Sequence, residues 1–110
     1  MAIKGNITID QGADFSTSIN VTDDDGDAVN LADYTGAAQM RKHYTSSTAY
    51  NFTVDITSAS GVVTLSMTAN TTANIAAGRY VYDCELTDTS NVVTRLVEGI
   101  VTVTPQVTRA

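Results

Sequence analysis

The stretch from Gly78 to Val103 constrains the fold more than any other, because it reads as two long arms joined by a tight polar turn. In the first arm, Gly78 to Thr87, Tyr80, Tyr82, Cys84 and Leu86 fall on one face, with Asp83, Glu85 and Thr87 on the other. That is the period of two of a half-buried strand. Asp88-Thr89-Ser90-Asn91 turns the chain, and Val92 to Val103 returns. The returning arm carries apolar residues in both phases, Leu96 and Ile100 in one and Val93, Val97, Val101 and Val103 in the other. A β-bulge near Glu98-Gly99 would reconcile them, since one extra residue flips which side chains face inward. Pro105, the only proline, ends the strand.

The remaining segments supply partners for this hairpin. Asn6 to Asp10, with Ile7 and Ile9 on one face, reads as a strand that Gly12 ends, and Phe15 to Val21 as a regular alternating one. Val29 and Leu31 lead through a loop at Asp33-Tyr34-Thr35-Gly36 into a strand over Gly36 to Tyr44, whose outer face carries Arg41 and His43. Tyr50, Phe52, Val54 and Ile56 line one arm of a second hairpin, Ser58-Ala59-Ser60-Gly61 its turn, and Val63, Leu65 and Met67 its return. Between Thr68 and Ala77 the rhythm breaks into one short helical turn, residues 69–77, which Thr68 or Asn70 can cap, with Ile75 pointing inward and Gly78 ending it.

Turns every eight to twelve residues and seven or eight short strands predict an all-β, two-layer antiparallel β-sandwich forming one domain over residues 1–110. Its predicted core is Phe15, Ile19, Val21, Val29, Leu31, Met40, Phe52, Val54, Ile56, Val63, Leu65, Tyr80, Tyr82, Cys84, Leu86, Leu96 and Val101. Cys84 is the only cysteine, so no disulfide forms within the chain, and it reads as a small buried hydrophobe.

Composition narrows function by exclusion. Net charge is -6, with a pI of about 4.3, and the six Lys and Arg are scattered along the sequence. Neither duplex nucleic acid nor an anionic membrane finds a basic patch to work with. The N-terminus shows no apolar h-region, which predicts synthesis in the cytoplasm without a signal peptide. The sequons at Asn6, Asn20, Asn51 and Asn70 read as chance matches in a Thr-rich chain.

Asp23-Asp24-Asp25-Gly26-Asp27 reads first as a solvated hairpin turn. Asp23, Asp25 and Asp27 are the only metal-ligand candidates, for calcium. An EF-hand loop with Asp25-Gly26 at its fifth and sixth positions would need a ligand at Val21 and a Glu at Ala32, and neither is there. His43, the only histidine, has no Cys, Asp or Glu at ligand spacing. One His, one buried-looking Cys and carboxylates grouped in a turn do not make nucleophile, base and oxyanion donors, so no catalytic residue and no cofactor is predicted.

Two resemblances sharpen this reading. The segment Gly78-Arg79-Tyr80-Val81-Tyr82-Asp83-Cys84 resembles the entry to the sixth strand of immunoglobulin domains, where a Tyr two residues before a Cys hydrogen-bonds back into the preceding corner. The resemblance gives that role to Tyr82; with no partner Cys and no Trp, the disulfide-centred core is missing. The chain is also similar to small immunoglobulin-like proteins of tailed bacteriophages, which occur as virion proteins and at the N-terminus of baseplate upper and tail-fibre proteins. Ile7-Thr8-Ile9-Asp10-Gln11-Gly12-Ala13-Asp14-Phe15, the Gly78 to Asp83 segment, and Val93 to Val103 followed by Val107-Thr108-Arg109 carry that similarity.

The phage resemblance implies a non-enzymatic virion structural protein, made in the host cytoplasm. It would act as an adaptor or decoration, binding other virion proteins and copies of itself. The segment to Asp10 and the tail from Pro105 to Ala110 are the natural arms, and Arg95, Val107 and Arg109 the candidate contact residues. The alternative is an adhesion module whose loops bind a host-surface glycan or calcium.

Overall fold

The computed structural model describes residues 3–22, 26–27 and 29–107, with Ile3 as backbone only. Nine strands and one short helix appear in the order β1 (Ile3–Lys4), β2 (Ile7–Asp10), β3 (Phe15–Asn20), β4 (Thr35–Arg41), β5 (Tyr50–Asn51), β6 (Thr53–Thr57), β7 (Val62–Met67), α1 (Ala69–Ala73), β8 (Gly78–Thr87) and β9 (Val93–Thr104). They form two sheets. The larger has the order β1-β9-β8-β4-β5 with β2 also on β9, and the smaller has the order β3-β7-β6. This is a β-sandwich, a three-stranded layer facing a larger one in which β8 is central. Among the described residues no helix is long and apolar enough to cross a membrane.

The core between the layers is the predicted one with additions. Leu31, Met40, Phe52, Val63, Leu65, Tyr80, Tyr82, Cys84, Leu86, Leu96 and Val101 are buried, joined by Ile9, Ala38, Met67, Ile75, Val97 and Val103. Phe15, Ile19, Val21, Val29, Val54 and Ile56 are only partly buried. They belong to the smaller sheet and its entry loop, where fewer strands cover each side chain.

Four expectations are corrected. First, the sandwich is not wholly antiparallel, and the segment to Asp10 is no free arm. β1 and β2 run parallel to β9, with Ile3 opposite Val97 and Ile7 opposite Val101. Second, the bulge lies three residues earlier than Gly99. Cys84 pairs with Val97 and Glu85 with Arg95, so Leu96 is the extra residue. Two consecutive buried side chains, Leu96 and Val97, result.

Third, Tyr50 to Ile56 is not one arm of a hairpin. β5 pairs with β4 in the larger sheet and β6 with β7 in the smaller one. The chain changes layers at the buried Phe52, whose N–H still donates to the Ala38 carbonyl at 3.0 Å. Fourth, the β4 strand ends at Arg41, so His43 and Tyr44 lie in the following loop.

The turns follow local chemistry. Gly61 takes φ +65 after a 3-10 turn at Ser58–Ser60, where a Cβ would also press on the Val21 and Val29 carbonyls. In the β8–β9 turn Asn91 takes φ +64, and the Asp88 carboxylate accepts from Ser90 N (2.8 Å) and Val92 N (2.9 Å). Helix α1 is capped by Thr68, as predicted, but it stops at Asn74.

Candidate functional site

The junction of the N-terminal strands with β9 shows how side-chain chemistry fixes one end of the larger sheet. Between β1 and β2 the chain folds over Gly99, where any Cβ would collide with the Gly5 carbonyl. Glycine inside a strand often marks this close approach of a second backbone. Tyr82 Oη donates to that carbonyl at 2.5 Å, and Asn6 Oδ1 accepts from Ile100 N at 3.1 Å. Thus Tyr82 does not make the corner bond the resemblance gave it. Tyr80 makes it, donating to the Ala76 carbonyl four residues upstream at 2.6 Å.

Both tyrosines have pKa values raised, first by burial, then by Tyr50 for Tyr80 and by Cys84 for Tyr82. Burial, with Asp83 and Glu85 adding, pushes the Cys84 thiol up to about 11. A thiol held protonated in a core is inert. His43 is exposed in the loop after β4, whereas Cys84 is buried.

A second junction ties the strand pairs together at one end of the sandwich. Buried Thr72 donates to the Ala13 carbonyl at 2.8 Å and accepts from Gly12 N at 3.1 Å. Gln11 Nε2 donates to the Ile75 carbonyl (2.8 Å), while Gln11 Oε1 accepts from Gln106 N (3.0 Å). The C-terminal arm is therefore held as far as Gln106. Val107, a candidate contact residue, is 95% exposed just beyond that anchor. Arg109 lies outside the described residues.

Arg95, the third candidate, is already engaged within the chain. Its Nε stands 3.5 Å from Asp83 and its Nη1 3.1 Å from Glu98, on the outer face of the larger sheet. Exposed pairs of this kind contribute about 1 kcal/mol at most, so the guanidinium can exchange partners cheaply. The face around it is concave, a cavity of about 530 Å³ whose walls include Arg41, Tyr44, Val81, Glu85 and Ile100. Arg41 also props the loop behind it, donating to the Ser46 carbonyl at 2.6 Å and to Gln39 Oε1 at 2.9 Å.

That loop forms one wall of a second cleft of about 500 Å³, lined by Lys42, His43, Ser46, Thr48, Tyr50 and Tyr80 among others. The Lys42 ammonium sits 4.8 Å from the centre of the Tyr80 ring. Among the described residues, no group of three or more His, Cys, Asp or Glu side chains gathers to hold a metal ion. Of the calcium candidates, Asp27 is exposed next to Gly26, and Asp23 and Asp25 lie outside the described residues.

Charge is segregated in a way that a linear reading missed. Lys4, Arg41, Arg79 and Arg95 lie on strands of the larger sheet and Lys42 directly follows one. The three strands of the smaller sheet carry a single charge, Asp55, and Asp14 directly precedes them. The signal was present: every charged residue from position 5 to position 40 is an Asp.

The edges of the sheets differ as well. β3 is the last strand of its layer, and no strand among the described residues pairs with its outer side. It has no charge, proline or bulge, the usual devices that blunt an edge.

No family model and no curated protein matches the chain. Among solved structures 173 chains match, so the architecture is widespread. One is the Listeria monocytogenes internalin-like protein lmo2027, similar with a TM-score of 0.53 at 13% identity over 94% of this chain. The match spans only 28% of that protein's chain. At such identity the likeness carries the β-sandwich fold alone.

Proposed function

We propose that this domain is a non-enzymatic interaction module of a tailed-bacteriophage virion, an adaptor in tail, neck or baseplate or a decoration of the capsid. Other virion proteins, and further copies of the domain in the assembled particle, are its partners. The observation that supports this most is the unequal treatment of its surfaces. One edge of the larger sheet is locked by Tyr82, Gly99 and Asn6, while Val107 is exposed and the outer side of β3 has no strand partner among the described residues. Exposed strand edges and projecting tails are how sandwiches join assemblies, and symmetry multiplies weak contacts. The resemblance in three sequence stretches supplies the phage context.

Mass spectrometry of purified particles is the direct test, with the protein expected at a fixed copy number and its absence ending this reading. Replacing Val107 by Asp should lower incorporation while leaving the isolated domain's melting temperature unchanged.

A second reading, glycan recognition, is favoured by the cleft under the 42–48 loop. It combines an ammonium, serine and threonine hydroxyls and two tyrosines. A glycan array probed with the domain and with Lys42→Ala should show a signal that the variant loses; a blank array removes this reading.

A further inference from the structure

We propose that the outer edge of β3 is a docking site for an extended, cationic strand of another protein, which adds to the smaller sheet as its fourth strand. The inference rests on the interaction-module reading above, though not on the particle.

Backbone geometry defines what the edge offers. Val21 N donates across to the Gly61 carbonyl at 2.7 Å, in register with the β3–β7 ladder. In an antiparallel ladder successive residues point their N–H and C=O groups to opposite sides. Ile19 and Thr17 therefore bond to β7 along with Val21, and Asn20, Ser18 and Ser16 direct theirs outward. A guest strand finds donors and acceptors at every second residue over Phe15–Asn20.

The side chains suit a guest too. Phe15, Thr17 and Ile19 on the inner face are only half-buried, and no strand among the described residues covers their outer flank. Alternating apolar residues of a guest would extend the core over them and place its polar residues beside Ser16, Ser18 and Asn20. The other edges are less open. β5 and β1 have two residues each, β2 has four and ends in Asp10, and β6 carries Asp55 at its middle.

Charge selects the occupant. The Asp14 carboxylate is held at the start of β3 by the bond it accepts from Ala69 N at 2.7 Å. No Lys or Arg occurs between positions 5 and 40, or within β6 and β7. A second copy laid edge to edge would bring two such acid-only surfaces together, in a protein of net charge -6. A Lys or Arg of the guest lying beside the start of β3 would instead meet the Asp14 carboxylate and gain in on-rate and register.

The test titrates the isolated, isotope-labelled domain with a capped synthetic peptide, Lys-Val-Thr-Val-Thr-Val-Lys, and with its Glu-terminated counterpart. The Lys peptide should shift the amide resonances of Ser16, Ser18 and Asn20 and slow their hydrogen exchange. Affinity should fall by about tenfold or more between roughly 50 and 500 mM salt. The Glu peptide should leave those resonances in place.

Ser18→Pro removes an outward N–H and should abolish the shifts. The double variant Ser16→Lys with Asn20→Lys keeps the backbone intact and should invert the preference to the Glu peptide. Equal binding of both peptides, shifts confined to other strands, or no shift at millimolar peptide would each overturn the proposal. So would dimerisation that protects the β3 amides without peptide. Loss of the particle reading is a separate result, read only from virions.

Discussion

The two sheets deal with their edges in opposite ways. β9 would leave its outer side open, but Ile3–Asp10 closes it through a ladder of parallel pairs. Three residues are specialised for that closure. Gly99 lacks the Cβ that would block it, Tyr82 reaches past its cross-strand partner Gly99 to the Gly5 carbonyl, and Asn6 bonds Ile100. β3 has nothing comparable on its outer side among the described residues, and its own outer face is Ser, Ser and Asn. A closed edge needs side chains that fit one partner, and an open edge needs side chains that obstruct none.

If the contrast holds, substitutions at the closed edge should be costly and those at the open edge cheap. Gly99→Val should cost the most, about 3 kcal/mol or a fall of roughly 15 °C in melting temperature, because its Cβ collides with backbone. A calorimetric scan giving a near-wild-type transition would show that β1 and β2 add little.

Alkali should act next. A folded-state thiol pKa of about 11 against an ordinary 9.0 means that the unfolded chain releases this proton first. Stability is then full below pH 9.0, falls as pH rises to about 11, and levels off with about 2–3 kcal/mol lost to this group. The raised tyrosines beside it act in the same direction from their ordinary value of 10.0 upward. Denaturant melts of Cys84→Ala across this range should show a visibly shallower dependence; an unchanged slope would remove Cys84 as the cause.

Tyr82→Phe deletes a single hydroxyl and strands the Gly5 carbonyl, for an expected loss of about 1–2 kcal/mol. Hydrogen exchange should show faster opening at Ile7 to Asp10 before anywhere else. On the open edge, Ser16→Ala and Asn20→Ala should each move stability by less than about 0.5 kcal/mol. A larger loss would mean that β3 is covered after all.

The sequence made the architecture legible wherever alternation was unbroken. Gly78 to Thr87 and Phe15 to Asn20 form as strands with the faces that their patterns require. Alternation does not say which strand lies alongside, so the parallel seat of Ile7–Asp10 and the change of layer at Phe52 were invisible to it. Gly99 drew the bulge prediction because a strand glycine has two physical uses, and here it serves close approach. The adjacent pair Leu96-Val97, apolar on both sides of the pleat, was the sign that pointed to the true bulge. The tyrosines were misassigned by two positions because Tyr80 and Tyr82 both face inward, and only the distance to Ala76 or Gly5 separates their roles. Among the candidate contact residues, Val107 is exposed, whereas the engagement of Arg95 by Asp83 and Glu98 depends on cross-strand neighbours that a linear reading does not contain.

The parallel pairing of β2 with β9 also sets a clock. Ile7 and its partner Val101 are separated by nearly the whole sequence, so β2 cannot reach its seat until the ribosome has released the strand it rests on. At about 5–20 residues per second, the earliest-made strand waits roughly 5 to 20 s for the latest. During that interval Ile7 and Ile9 lack the strand they pair with, and the nascent domain is most exposed to chaperones and to mispairing. Substitutions that slow this last closure would then lower yield in the cell even where the finished fold is untouched.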